Sequence, residues 1–192
     1  MVNKDYYIID GQHRFYVSKK LGLPVFYIIA PDFTLRQIAE MNQNASKWRD
    51  KDFVNCYIDT GNDHYKTLKN FVETYRINLG IAVSLLSEGK VRGVKRMDDL
   101  RDGLFKAQYL EHANKFMLNA MLFEPYCESY KSRNFLQTLE ILTTSDQFNL
   151  TEFLDKLSLH GLKIENRQSY KEYLTHLEDL YNYRNSKRRR IY

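Results

Sequence analysis

Residues 6–14 read Tyr-Tyr-Ile-Ile-Asp-Gly-Gln-His-Arg, and this stretch determines the fold that the sequence predicts. The run Tyr6–Ile9 is apolar and rich in residues that favour a strand. Asp10 and Gly11 interrupt it, and residues with helical spacing follow as far as Leu21, where Gly22 is suited to end a helix. The stretch therefore predicts a strand, a glycine turn and the start of a helix.

The first turn of this helix is a candidate anion site. Its unpaired backbone N–H groups carry roughly half a positive charge, and Gly11 lets an anion approach the main chain closely. Arg14 lies in the same turn, where the helix dipole disfavours a cation, so a bound phosphate would explain its position. The alternative is structural: Asp10 is an ordinary N-cap, and Arg14 is a surface cation paired with Asp10 or Asp32.

Residues 10–25 resemble the phosphate-binding segment of the ParB/sulfiredoxin superfamily. In that superfamily a Gly-x-x-Arg or Gly-x-His-Arg box follows a strand, opens a helix and holds nucleotide phosphates. The resemblance implies that Gly11, Gln12, His13 and Arg14 bind a nucleotide triphosphate, CTP or ATP, with Mg²⁺. Sulfiredoxins have a reactive cysteine at the position of Gln12, so sulfinic acid reduction is not implied. Related free-serine kinases use Asp-Gly-His-His-Arg, which keeps phosphotransfer open.

A second segment matches the same superfamily downstream. ParB proteins carry a Glu-Asn-x-x-Arg box at the end of the next helix, and Gln43-Asn44-Ala45-Ser46-Lys47 occupies that place. The resemblance implies that Gln43, Asn44 and Lys47 assist nucleotide binding, although Gln43 removes a carboxylate and Lys47 replaces a bidentate guanidinium with a point charge. The alternative is a polar helix C-terminus, in which Asn44 and Lys47 cap carbonyl groups.

The predicted fold class is α+β, with a small strand-helix-strand domain followed by a mainly helical region. Residues 1–60 form the box domain, in which Asp5–Ile9 lies beside Pro24–Ala30. Because ParB-type domains usually begin further upstream, the chain is either a minimal sheet or a fragment. Residues 61–97 form a helix-turn-helix-like region with a basic loop, and residues 98–192 form a helical bundle that is a dimerisation module or a lid.

Spacing and capping signals predict further helices from Thr34 to about Asn44, at Lys51–Asp59, Leu100–Phe123, Asn134–Thr143, Leu150–His160 and Asn166–Tyr183. Trp48 is predicted to be a core anchor.

Residues 65–86 have the layout of a helix-turn-helix. An amphipathic helix over residues 65–75 is followed by a short turn with Ile77 and a second helix over residues 80–86. In this interpretation Asn78 and Ser84 face DNA, although the second helix is poor in base-reading side chains. The alternative is an αα-hairpin that fills space.

Positive charge is concentrated in two segments. One is the loop over residues 90–96, and the other is the tail over residues 184–190, which has five cations and no acid. Basic patches beside a helix-turn-helix suit phosphate contacts, although a solvated disordered end is the alternative for the tail. The predicted DNA-contacting residues are Asn78, Ser84, Lys90, Arg92, Lys95, Arg96, Arg188, Arg189 and Arg190.

Composition restricts the protein class further. The 192 residues are 43% hydrophobic and 28% charged, with a net charge of +5, so the chain can bury a core and has no apolar run long enough for a membrane span. The two cysteines are far apart and no signal peptide is present, which indicates the cytoplasm and argues against a disulfide framework. The histidines have no ligand-like spacing, so no structural metal is predicted.

The leading interpretation is a ParB-like DNA-binding protein of a plasmid, phage or other mobile element, with a nucleotide-phosphate box. The alternative is an enzyme, a ParB-like nuclease or a nucleotide-dependent phosphotransferase, with His13 as general acid or base and Asp10 holding Mg²⁺. Binding is preferred because of the basic patches, and because neither box has a second carboxylate to complete a two-metal site. A box that only supports protein contacts is a third interpretation.

Overall fold

The computed structural model describes residues 1–30, 33–41, 48–92 and 97–192. The described residues cluster into two compact units, which are unit 1 (Met1–Asn62 and Met97–Leu104) and unit 2 (Asp63–Arg96 and Phe105–Tyr192). They form ten α-helices: α1 (Gln12–Leu21), α2 (Leu35–Met41), α3 (Asp50–Asp59), α4 (Asp63–Tyr75), α5 (Leu79–Glu88), α6 (Met97–Arg101), α7 (Leu110–Met121), α8 (Arg133–Thr143), α9 (Leu150–His160) and α10 (Tyr170–Tyr181). None of these helices has the length and apolar character needed to cross a membrane.

The predicted α+β fold class is wrong, because the described residues contain no strand. Two isolated bridges join extended segments of unit 1: Val2 is antiparallel to Ile8 and parallel to Ile29. The backbone N–H of Val2 donates to the carbonyl of Ile28 at 2.9 Å, and that of Ala30 donates to Val2 at 2.7 Å. Asp5–Ile9 and Pro24–Ala30 were expected to pair with each other as strands. Instead, each of them makes a bridge to Val2.

A turn inside the predicted first strand explains this difference. Tyr6 has a left-handed backbone with φ of 64°, which ends any regular strand at that residue. The side-chain oxygen of Asn3 accepts hydrogen bonds from the backbone N–H groups of Asp5 at 3.1 Å and Tyr7 at 2.8 Å. These local hydrogen bonds stabilise a turn over residues 3–7 in place of a strand.

The helix of the box segment is confirmed. It begins at Gln12 and ends at Leu21, and Gly22 follows with a left-handed φ of 64°, where its N–H donates to the carbonyls of Ser18 and Lys19. Side chains in α1 are not buried in the described structure. The turn and the helix start were therefore predicted correctly, whereas the sheet that should support them was not.

The core of unit 1 lies where α3 packs against α6. Phe53 in α3 is buried, and Trp48 packs edge to face against it with ring centroids 5.1 Å apart, as expected for a core anchor. The hydroxyl of Tyr57 donates to the carbonyl of Arg101 at 3.0 Å. Gly103 then ends the helical segment with φ of 80°, so the single helix predicted over residues 100–123 is wrong and is divided into α6 and α7.

Unit 2 is a helical bundle with an aromatic core. Four rings of this core are almost completely buried: Phe123, Phe135, Phe153 and Tyr173. The Phe123 ring contacts those of Phe153 and Phe135, and the Phe135 ring contacts that of Tyr173, with ring centroids between 5.3 and 6.1 Å apart. Buried aromatic pairs at these distances contribute beyond their area alone. The predicted helices near α8 and α9 are confirmed within one residue, while α10 is shorter than its predicted range.

Candidate phosphate and nucleic-acid sites

The box residues Asp10–Arg14 are accessible at the start of α1. Gly11 is the N-cap residue with a left-handed φ of 87°, and no side chain in the described part of the chain caps this helix. The Nη2 atom of Arg14 donates to the Asp10 carboxylate at 3.0 Å, so the ion pair named as the structural alternative is present. Because the Arg14 side chain is 80% exposed, this pair contributes little to stability and can open for another anion.

A cavity of about 150 Å³ next to the box is lined by Ile9, Asp10, Ile38 and Met41. It is smaller than the cavities that enclose drug-sized ligands, so it is too small to enclose a whole nucleotide. Among the described residues no group of three His, Cys, Asp or Glu could hold a metal by itself, and the predicted role of Mg²⁺ at Asp10 stays a prediction. The catalytic roles of His13 and Asp10 stay predictions.

The second predicted box lies outside the described residues. Its residues Gln43, Asn44 and Lys47 belong to the range 42–47, and Lys95 and Arg96 of the basic loop belong to the range 93–96. Their predicted roles in nucleotide and DNA binding therefore stay predictions.

The predicted helix-turn-helix segment consists of α4 and α5 joined by a short turn, and α5 is a core helix. Six consecutive residues of α5, from Ile81 to Leu86, are buried. Ser84 is one of them, and its hydroxyl donates to the carbonyl of Gly80 at 3.1 Å. The side-chain oxygen of Asn78 accepts from the N–H of Gly80 at 2.8 Å and caps the helix. A buried helix does not enter a DNA groove, so α5 is not suited to base reading.

Arg133 occupies an unusual electrostatic position beside α5. It is the first residue of α8, after the N-cap Ser132, and its Nη2 atom lies 3.4 Å from where a Cβ on Gly80 would stand. Its guanidinium is thus beside the N-termini of two helices, where the dipoles disfavour a cation. Arg133 is exposed and has no acidic partner among the described residues.

Unit 2 has three further exposed cations, and we call Arg76, Lys90, Arg92 and Arg133 together the cationic surface: Arg76 and Arg133 lie near the N-terminal end of α5, and Lys90 and Arg92 follow its C-terminal end. Arg76 has a left-handed φ of 51° in the turn before α5. The guanidinium of Arg92 lies 5.5 Å from the ring centroid of Tyr170. Like Arg133, these residues have no ion-pair partner within the described ranges. The four cations are therefore not engaged in ion pairs, although the Glu140 carboxylate lies between Lys90 and Arg92, where it accepts from the backbone N–H of Val91 at 3.0 Å.

Contacts along α8 relate Arg92 to Arg133. The carbonyl of Tyr170, whose ring Arg92 contacts, accepts a hydrogen bond from the Thr138 hydroxyl at 3.0 Å. Thr138 is five residues after Arg133 in α8, which corresponds to a rise of roughly 8 Å.

Two arginines of the basic tail are engaged in ion pairs. Arg188 donates to the carboxylates of Glu178 and Asp179, both at 2.8 Å, and Arg189 pairs with Glu152. Ile191 is completely buried. The tail is therefore a segment that folds back on α9 and α10, and the predicted DNA contacts of Arg188, Arg189 and Arg190 stay predictions.

The acidic partners of the tail are themselves fixed. The Tyr181 hydroxyl donates to Glu152 at 2.7 Å, and this bond, with the neighbouring Arg189 and Lys156, lowers the pKa of the Glu152 carboxyl. Asn182 accepts from the N–H of Arg189 at 2.6 Å and donates to its carbonyl at 2.8 Å. Arg188 and Arg189 are thus paired with acidic groups of the protein, and the guanidinium of Arg190 lies 5.5 Å from the Tyr192 ring.

The sequence-based prediction omitted Arg76 and Arg133. A signal for Arg133 was present, because Ser132 is a good N-cap and the next residue is a cation in the first turn of a helix. The same anomaly had identified Arg14. No comparable signal was present for Arg76, whose exposure depends on the turn that its own backbone makes.

Comparison with known proteins finds no matching family model, no similar curated protein and no similar solved structure. The strand-helix-strand unit on which the resemblance to the ParB/sulfiredoxin superfamily depends is missing from the described residues. The assignment to that superfamily is therefore wrong. The candidate sites rest on their own geometry and charge.

Proposed function

We propose that the chain is a DNA-binding protein whose unit 2 contacts the phosphate backbone through the cationic surface. The observation that carries this proposal is the position of Arg133, an exposed and unpaired guanidinium beside the N-termini of α5 and α8. A phosphate at this place would pair with the guanidinium and be favoured by both helix dipoles. Arg76, Lys90 and Arg92 supply further phosphate contacts.

The expected binding is largely independent of sequence. Phosphate contacts fix the position of a protein on DNA, whereas base-edge contacts in the grooves read the sequence. The buried α5 supplies no such contacts, since Ser84 is engaged with Gly80 inside the bundle. The net charge of +5 supports association with a polyanion.

The variant Arg76→Ala/Arg133→Ala tests this proposal. Removing two phosphate contacts is expected to weaken binding to a mixed-sequence duplex by roughly tenfold or more at physiological salt, and to reduce the slope of log affinity against log salt by about 1.8. Fluorescence anisotropy over a series of salt concentrations measures both quantities.

The matched control is Arg188→Ala/Arg189→Ala, which removes the same charge from the tail. Because Glu152, Glu178 and Asp179 already neutralise these arginines, the control should change affinity much less. Equal weakening in both variants would show that only net charge matters and would refute the assignment to the cationic surface.

A second candidate function is phosphate binding by the Asp10–Arg14 box. The left-handed Gly11 and the uncapped first turn of α1 favour it, since free N–H groups and an open backbone suit an anion. The natural probes are CTP, ATP and GTP, titrated with and without Mg²⁺, with phosphate release measured in the same samples to separate binding from hydrolysis.

The glycines that flank α1 provide a matched pair of variants for this titration. An alanine at Gly11 would place its Cβ 3.3 Å from Arg14 Nη2, whereas one at Gly22 would meet nothing within 4 Å, and both positions have positive φ. We expect Gly11→Ala and Arg14→Ala to reduce nucleotide binding by about tenfold and Gly22→Ala to leave it unchanged. A wild-type protein that binds none of the three nucleotides would exclude this function.

A further inference from the structure

Unit 1 exposes an unusual number of aromatic rings within a short stretch of chain. Tyr6 is 62% exposed, Tyr7 73%, Tyr16 66%, Phe26 93% and Tyr27 55%, and we call these five side chains the aromatic surface. Single exposed apolar residues are normal in soluble proteins, but a group of large exposed rings indicates an interaction surface.

The aromatic surface lies in a positively charged segment. Residues 4–30 include all five rings and carry Lys4, Arg14, Lys19 and Lys20 against Asp5 and Asp10, a net charge of +2. Arg14 is paired with Asp10, whereas Lys19 and Lys20 lie in the last turn of α1, which buries none of its side chains. A partner for this surface must therefore tolerate both flat apolar rings and positive charge.

Contacts within unit 1 bring rings from separate segments together. The rings of Tyr6 and Tyr27 meet edge to face with centroids 5.9 Å apart, and Val2 bridges the neighbouring residues Ile8 and Ile29. In α1, Phe15 and Tyr16 form a second edge-to-face pair at 5.8 Å. Two of the five rings, Tyr6 and Tyr27, are therefore held against each other without a ligand, which reduces the entropy that they lose on binding.

From these observations we infer that the aromatic surface binds single-stranded nucleic acid. Unpaired bases stack on aromatic rings irrespective of sequence, and Lys and Arg follow the phosphate backbone. A duplex hides the faces of its bases, so it cannot use the rings in this way. The aromatic surface belongs to unit 1 and the cationic surface to unit 2, so this inference goes beyond the duplex binding proposed above.

The test measures the affinity of the full chain for labelled oligo(dT) of about 15 nucleotides and for a mixed-sequence duplex. The variant Tyr7→Leu/Phe26→Leu removes the two most exposed rings and keeps apolar side chains. We expect oligo(dT) affinity to fall by about tenfold or more, because each stacked base contributes substantially. Duplex affinity should not change.

The control variant Leu23→Ala/Ile28→Ala removes exposed apolar side chains from the same segment without removing a ring, and it should bind oligo(dT) like the wild type. The measurements are repeated in the Arg76→Ala/Arg133→Ala background, which separates this surface from the cationic surface.

Three outcomes would overturn the inference. The first is a wild-type protein that does not bind oligo(dT). The second is an equal loss of oligo(dT) affinity in Tyr7→Leu/Phe26→Leu and Leu23→Ala/Ile28→Ala, and the third is an unchanged oligo(dT) affinity in Tyr7→Leu/Phe26→Leu. If the unchanged affinity were accompanied by altered sedimentation, the surface would instead be a protein interface.

Discussion

Phe153→Ala is expected to lower the free energy of unfolding of unit 2 by about 3–5 kcal/mol. The Phe153 side chain is completely buried, and its ring contacts Phe123 at 6.1 Å and both Phe148 and Tyr181 at 5.7 Å between centroids. Alanine removes the apolar burial and leaves a cavity among rings that cannot fully collapse into it.

Urea unfolding followed by far-ultraviolet circular dichroism measures this loss as a lower transition midpoint. Leu159→Ala is the matched control, because Leu159 lies in the same helix and is 79% exposed, so its effect should stay within about 0.5 kcal/mol. If the two variants had the same midpoint, Phe153 would not be a central residue of the unit 2 core.

Local capping chemistry explains why α8 and α9 could be predicted from the sequence. Ser132 accepts a hydrogen bond from the N–H of Phe135, and Asn149 accepts one from Glu152. Gly161 ends α9 with a left-handed backbone. These signals lie within four residues of the helix ends, so the sequence contains everything that determines them.

The predicted sheet failed because strand formation depends on distant partners. The residues of Tyr6–Ile9 favour a strand, but this preference is weak without neighbours on both sides. The local hydrogen bonds of Asn3 and the left-handed Tyr6 act against it. The pairing of Val2 with Ile29 spans 27 residues, and no local pattern identifies such a contact.

The same distinction applies to the candidate sites. The Arg14 and Asp10 pair lies four residues apart and was named from the sequence. By contrast, Arg189 is neutralised by Glu152, which is 37 residues away, and the charge pattern alone presented the tail as free. Charge runs can therefore be located from sequence, but their availability to a ligand depends on the tertiary fold.

Ile191→Ala is expected to destabilise the attachment of the tail by about 2–5 kcal/mol, because the side chain is completely buried at the end of the chain. The ion pairs of Arg188 and Arg189 are solvent-exposed on the arginine side and cannot hold the segment alone. We expect trypsin to cleave after Arg188, Arg189 and Arg190 at least about tenfold faster in the variant, since cleavage follows the open population.

Mass spectrometry of the products at successive times measures this rate. Tyr192→Ala is the control for cleavage after Arg188 and Arg189, because Tyr192 is 38% exposed and contacts Arg190, so its removal should leave cleavage at those two sites nearly unchanged. Release of the tail would also free two arginines from their acidic partners, so Ile191→Ala should bind duplex DNA more tightly than the wild type. Unchanged cleavage would show that the hydrogen bonds of Asn182 with Arg189 hold the tail without Ile191. Faster cleavage without tighter binding would show that the released arginines do not reach DNA.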